Sequence, residues 1–502
     1  MAFSKQLKQI YARITRNRLT AVFFLFGLIH CIAQGVIQSF LFTIDTQYYN
    51  LLFSITRTAD NRADIPPSKY ANYTNLVYVP SGGFELEICD FIPHNKGNCS
   101  YIFNSNAPVN SSNGPATDAI LNGEIVTSHL NPQDFSTSLN SNSDVIFEAA
   151  KGAGSVTFSQ TCTNMLLYPT QHLQNSRRED IVFGLLQIWL FGLSIMAMMY
   201  DSVPHVLTVF IVRLSLTAWS TYELWRTGWQ QSIFYQMYEE SGTPCSVNMF
   251  MDYFATRVLY EIPDLILNCT ALGISAYLSW TLLRTYNAET FTTVGAPKPI
   301  MKMYKYFLAL QVCLQLEVFV LITAAALWAD QLFNSYITHM SNHTKIYEAI
   351  ILFYAIIVGP WLFMGHHGIR FEKRVVLAAF LCVDLLFILG SSLMFLSDLY
   401  QWTFYAWPCL GCFITGSLLL LVASFVLGLV CFINFGKGLS QYLYAEANLS
   451  SSNFASEVFE RDVESTYVGD EKLKASGFHA DFSTHYLPTL GPDISRDSFL
   501  SG

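Results

Sequence analysis

The sequence predicts an α-helical integral membrane protein: an N-terminal anchor helix, an exterior β-rich domain, a seven-helix transmembrane bundle and a disordered C-terminal tail. Three observations carry this reading. Only 13% of the 502 residues are charged while 52% are hydrophobic, against about 25% charged in a typical soluble domain. The missing charge is concentrated in runs of roughly 20 residues, the length that crosses a hydrocarbon core about 30 Å thick. A polar, sequon-bearing segment separates the first such run from the other seven.

The first run is Ala21–Phe42, preceded by Lys5, Lys8, Arg13, Arg16 and Arg18. Positive flanks stay cytosolic, so residues 1–20 are expected inside and residue 44 onward outside. A cleaved signal peptide, with Cys31-Ile32-Ala33 as its small-residue site, is the rival reading. The run continues through Phe40-Leu41-Phe42, longer than a signal core, which favours an anchor over 21–43.

Residues 44–180 form the expected exterior domain. They hold the acceptor triplets at Asn72, Asn98 and Asn110, and a sequon is usable only outside the cytosol. Phe84-Glu85-Leu86-Glu87-Ile88 alternates with the period of a strand, and Val156-Thr157-Phe158 does so beyond a Gly152-Ala153-Gly154 turn. A small β-rich domain with long loops follows. Cys89, Cys99, Cys162 and Cys245 all fall in exterior segments. Four cysteines allow three connectivities; the short Cys89–Cys99 loop is the first choice, which leaves Cys162 for Cys245. The remaining seven cysteines lie in apolar runs.

The spans Ile181–Tyr200, Val203–Leu224, Val258–Leu283, Tyr306–Trp328, Tyr347–Met364, Val375–Leu396 and Phe404–Ile433 complete a transmembrane domain over 181–434. Asp201-Ser202-Val203-Pro204 is a tight cytosolic turn, and 225–256 is read as an exterior loop with Trp225 and Trp229 at the interface. The N-terminus and the cytosolic loops carry twelve Lys and Arg against three in the short exterior loops (Arg226, Arg257 and Lys345), which orients the bundle with both chain ends in the cytosol. The triplet at Asn342 falls outside as well. The tail, 435–502, is Ser-rich and acidic, for example Glu460-Arg461-Asp462-Val463-Glu464-Ser465, and is expected to be disordered. Its serines beside carboxylates suit an acidophilic kinase or simply keep a solvated tail soluble.

Ionisable groups in hydrocarbon are costly and need a partner or a wet cavity. Arg213, Glu317 and Asp384 fall near the centres of their spans, with Gln311 and Gln315 close to Glu317, while Glu261 and Asp264 lie in the outer third of theirs. Arg213, Asp264, Glu317 and Asp384 are therefore the candidate intramembrane polar cluster. It either lines a ligand cavity, forms an ion pathway, or locks the helices together. Other features read as packing: Pro360 after Gly359, the interfacial pair His366-His367, the Cys409-Leu410-Gly411-Cys412 spacing without its redox context, and His30 as a bond between helices.

No phosphate-binding Gly loop, His-Glu-x-x-His or Gly-x-Ser-x-Gly occurs, so an enzyme is not expected. Neither a cofactor nor a metal is implied. The net charge of −9 argues against nucleic acid. The lipid bilayer is the one defined partner, and the exterior ligand or protein partner is unidentified.

The stretches Asp201-Ser202-Val203-Pro204-His205, Thr217-Ala218-Trp219-Ser220-Thr221, Thr243-Pro244-Cys245, Tyr304-Lys305-Tyr306, Ala326-Leu327-Trp328 and Asn434-Phe435-Gly436-Lys437-Gly438-Leu439 resemble a group of multi-pass membrane proteins of filamentous and mushroom-forming fungi. The resemblance covers most of 180–445 and implies a fungal source. That group has no assigned activity, so nothing mechanistic comes with it. The layout alone is also similar to lumenal-domain seven-helix proteins that escort secreted cargo, and to receptors; arrangement does not fix function. The expected function is a receptor-like sensor or trafficking escort with an exterior recognition domain, at the plasma membrane or in the secretory pathway. The alternative is a transporter or channel using the buried ionisable residues.

Overall fold

A computed structural model describes residues 18–60, 73–80, 82–89, 99–106, 135–140, 144–149, 155–199, 202–240, 242–245, 249–294, 298–334 and 344–436. The basic residues before Arg18, the sequons at Asn72, Asn98, Asn110 and Asn342, and the tail beyond residue 436 lie outside these residues.

Among the described residues, eight helices are long and apolar enough to cross a membrane. The chain is therefore a multi-pass helical membrane protein. The first helix, α1 (Arg18–Asp60), is 43 residues long, about 64 Å at 1.5 Å per residue and roughly twice a hydrocarbon core. It runs on past Phe42 because Tyr48, Leu51, Leu52 and Ile55 recur at helical spacing and are all buried. The apolar run ends at Phe42; the helix does not.

Six strands follow: β1 (Tyr73–Tyr78), β2 (Phe84–Cys89), β3 (Cys99–Asn104), β4 (Phe135–Leu139), β5 (Val145–Ala149) and β6 (Ser155–Phe158). They make two antiparallel three-stranded sheets, β1-β2-β3 and β4-β5-β6. In β2 the expected alternation holds: Phe84, Leu86 and Ile88 are buried and the intervening glutamates are less so. Gly82 and Gly83 turn β1 into β2 with φ of 88° and 94°, a region only glycine enters freely. Cys89 stands opposite Cys99 in the β2–β3 register.

The short helix α2 (Gln160–Met165), N-capped by the Ser159 hydroxyl, leads into α3 (Leu167–Met199). Then come α4 (Val203–Phe234), a π-helical turn over Tyr235–Glu239, α5 (Met251–Val294), α6 (Lys298–Asn334), α7 (Thr344–Arg370), α8 (Arg374–Met394), α9 (Asp398–Ala406) and α10 (Pro408–Ile433).

Three boundaries differ from the sequence reading. The segments adjoining the bilayer, 44–60 and 167–180, are helix rather than loop or strand. The segment 225–256, read as a loop, is helical to Phe234, continues as the π-turn, and re-enters helix at Met251. The last span is two helices, because Pro408 cannot donate a backbone hydrogen bond and forces Trp407 into an extended conformation (φ −126°, ψ 91°). Helix α7, by contrast, runs through Pro360.

The helices pack as two groups of four. α1 lies against α3 and α5, and α4 lies against α5 and α3; α6, α7, α8 and α10 form the second group, joined to the first along α4–α6 and α3–α6. The first helix is thus a full member of an eight-helix bundle, where a separate anchor beside seven helices was expected. On the outer faces, Leu185, Ile188, Leu352, Ile356 and Leu419 are exposed, as a lipid-facing surface requires. A single core unites Tyr48, Leu52 and Ile55 of α1, Phe84 and Leu86 of β2, Phe147 of β5, Phe158 of β6, Phe234 of α4, and Tyr253 and Phe254 of α5.

Candidate functional site: buried charge clusters between the helices

The outer ends of α1, α3, α4 and α5 enclose an ionic network. Arg257 is its centre: Nη1 reaches Asp45 Oδ2 at 2.5 Å, Nη2 reaches Glu223 Oε1 at 2.7 Å and Nε reaches Glu261 Oε1 at 2.7 Å. The planar fork of arginine allows one side chain to satisfy three carboxylates at once. The Tyr253 hydroxyl donates to Asp45 Oδ1 at 3.0 Å and Thr227 to Glu261 Oε1 at 2.7 Å. Beside it, Arg226 grips Glu179 with two bonds, 3.2 and 2.7 Å. The Trp407 indole donates to the same Glu179 at 2.7 Å, tying the second helix group to the first at the α9–α10 break.

Helical spacing explains the assembly. Tyr253, Arg257 and Glu261 are four apart on α5, and Glu223, Arg226 and Thr227 fall at i, i+3 and i+4 on α4. All are buried, as are Asp45, Glu179 and Asp180. Sequence reasoning singled out only Glu261 of the charged members. Asp45, Glu179, Asp180, Arg226 and Arg257 flank apolar runs and look like water-facing boundary charges. Arg226 and Arg257, counted above as exterior loop charges, are buried ion-pair members. The available signal was that acids and arginines recur at one depth on four helix ends.

The predicted cluster of Arg213, Asp264, Glu317 and Asp384 is divided between the two helix groups. Asp264 accepts from Ser220 (2.7 Å), Asn268 (2.9 Å) and Gln38 (3.3 Å), and Gln34 donates to its backbone carbonyl. It continues the polar stripe of α5 inward: Arg257, Glu261, Asp264 and Asn268. Arg213 sits over the Phe26 ring at 5.0 Å, and its Nε and Nη1 take no hydrogen-bond partner among the described residues. In the second group, Glu317 accepts from Ser417 at 2.7 Å and Asp384 from Ser424 at 2.8 Å. Ser417 and Ser424 are seven residues apart on one face of α10. No salt bridge joins Arg213 to an acid among the described residues; the acids rest on hydroxyls and amides instead. Helix rotation decides this, and a single sequence does not encode it legibly.

Gln311 and Gln315 are also bonded, to His366 at 2.9 Å and Thr208 at 2.9 Å. His367 stacks on Phe363. Both expected disulfides are formed, Cys89–Cys99 and Cys162–Cys245. Cys409 and Cys412 are free, the first buried and the second exposed. Among the described residues the one group of three close metal-ligand types is Glu87, Cys89 and Cys99, and its two sulfurs are already spent in a disulfide.

Trp407→Phe keeps the ring and removes the indole donor. A bond to a charged group contributes about 1.5–3 kcal/mol, so a fall of that order in unfolding free energy is expected. Differential scanning fluorimetry of the detergent-solubilised protein would read it as a lower midpoint.

The fold and these clusters define the class, a multi-pass helical membrane protein with a buried ionic network at one end of the bundle. No known protein family, no curated protein and no solved structure matches the chain.

Proposed function

We propose that the protein is a receptor-like sensor whose exterior domain recognises a partner and acts on the bundle directly. One observation carries this reading. The strands share a core with the outer ends of α1, α4 and α5, directly beside the ionic network. A partner that shifts the strands would move helix ends in contact with them. Escort of a cargo protein uses the same exterior face. The site of action is the plasma membrane or the secretory pathway.

Deleting 44–180 would be a poor test, because it removes Asp45, Glu179 and Asp180 and thereby three acids of the network. Tyr101 of β3 is 69% exposed and can be changed without touching the core. A photo-crosslinking residue at Tyr101 is expected to yield a discrete adduct in cells, and the lipid-facing control position Leu352 is not. The adduct should persist in Glu317→Gln.

A transporter or channel is the second reading. It is favoured by Arg213, Glu317 and Asp384, each of which buries a polar atom without a hydrogen-bond partner, as water-lined paths do. No adduct at Tyr101, together with solute flux in proteoliposomes that Glu317→Gln abolishes, would decide for it.

A further inference from the structure

The outer network is out of charge balance. Five carboxyls (Asp45, Glu179, Asp180, Glu223 and Glu261) meet two guanidiniums (Arg226 and Arg257), and every one of these residues is at least nine-tenths buried. Stripping a carboxylate of water costs several kcal/mol even after relaxation. Two arginines cannot neutralise five such groups.

The surplus has an address. Glu179 is held by Arg226 and the Trp407 indole, while Asp45, Glu223 and Glu261 share Arg257. Asp180 has no salt bridge, is 3% exposed, and its Oδ2 takes no hydrogen bond among the described residues. Asp45, Arg257, Glu223 and Glu179 all lie within electrostatic range of its carboxyl. Glu261 Oε2 is likewise without a hydrogen-bond partner.

We propose that this network is a proton-binding site, in which Asp180 and at least one further carboxyl carry exchangeable protons in the folded protein. A compact metal cage is the competing way to balance the charge. Hard cations need several oxygens converging at 2–2.6 Å, and among the described residues no three members bring ligand atoms within 4.8 Å of one another. Protons need no such convergence. The titratable groups of the network come from every packed element: Asp45 on α1, Glu179 and Asp180 on α3, Glu223 and Arg226 on α4, and Tyr253, Arg257 and Glu261 on α5, with His172 of α3 within electrostatic range of Arg226 and Arg257. Arg178, paired with Asp330 of α6, and Cys409 of α10 lie at the border. The site goes beyond the sensor reading and stands whether or not a partner binds outside.

The sign of the linkage gives the test. If the folded state holds protons that the unfolded chain releases, stability falls as pH rises. Thermal unfolding of the full chain in nanodiscs, scanned from about pH 5 to about pH 8, is expected to show a midpoint that falls with pH. Asp180→Asn mimics the protonated acid and should flatten that slope by the equivalent of about one proton. Should Asp180→Asn fail to fold, Glu223→Gln provides the same comparison. A wild-type midpoint that rises with pH would overturn the proposal. So would a slope unchanged in the folded variant, or a sodium-dependent midpoint at fixed pH that the variant loses, which would make the bound ion a metal cation.

Discussion

Arg257→Met is expected to be the most damaging single substitution in the chain. It leaves Asp45, Glu223 and Glu261 without their shared cation, three acids on three helices in a buried setting. Removing one partner of a buried pair costs about 3–5 kcal/mol, and here one residue serves three. Arg257→Lys should recover little, since a point-like ammonium cannot span the three directions that the guanidinium fork covers. Fluorescence-detected size exclusion after a heat step reads this directly. The variant should lose its monodisperse peak well below the temperature that removes it from the wild type. Retention close to wild type would mean that the network adds little to the fold.

The second large effect is expected at the disulfide between α2 and the segment after α4. Cys162–Cys245 spans 83 residues, whereas Cys89–Cys99 spans ten. Loop-closure entropy gives about 4–5 kcal/mol for the first and about 3 kcal/mol for the second. The long bridge also staples the core shared by strands and helices, since Cys162 and Cys245 both belong to it. The double variant Cys162→Ala and Cys245→Ala should therefore lower the unfolding midpoint more than Cys89→Ala and Cys99→Ala. The opposite order, measured by the same thermal scan, would show that this core does not rely on that crosslink.

Much of the architecture is legible in the residues themselves. Apolar length gives the eight crossings, and period-two alternation gives β2 and β6. The placement of four cysteines in polar segments, with one short loop among them, gives both disulfides. What escapes has physical causes. Hydropathy reports where lipid ends, and Tyr48, Leu51, Leu52 and Ile55 keep α1 helical well past that point by packing against protein. Pro408 lies inside an apolar run, and hydropathy does not register the break it makes. The charge network was hidden because Arg226 and Arg257 at the end of a span look the same whether they face water or a carboxylate. For Arg213, Glu317 and Asp384 the depth was readable and the facing was not. Ser417 and Ser424, whose hydroxyls hold the two acids, carry no signal of that role alone.

Hydrogen–deuterium exchange of the intact protein in nanodiscs tests the central claim, that the strands and the helix ends they pack on form one body. The amides of 48–55, 229–238 and 249–254 are predicted to exchange as slowly as those of 206–216 inside a span, and to speed up together in Arg257→Met. Fast exchange of these three segments in the wild type, with 206–216 still protected, would show an exterior domain that merely hangs from the bundle, and the account would be wrong.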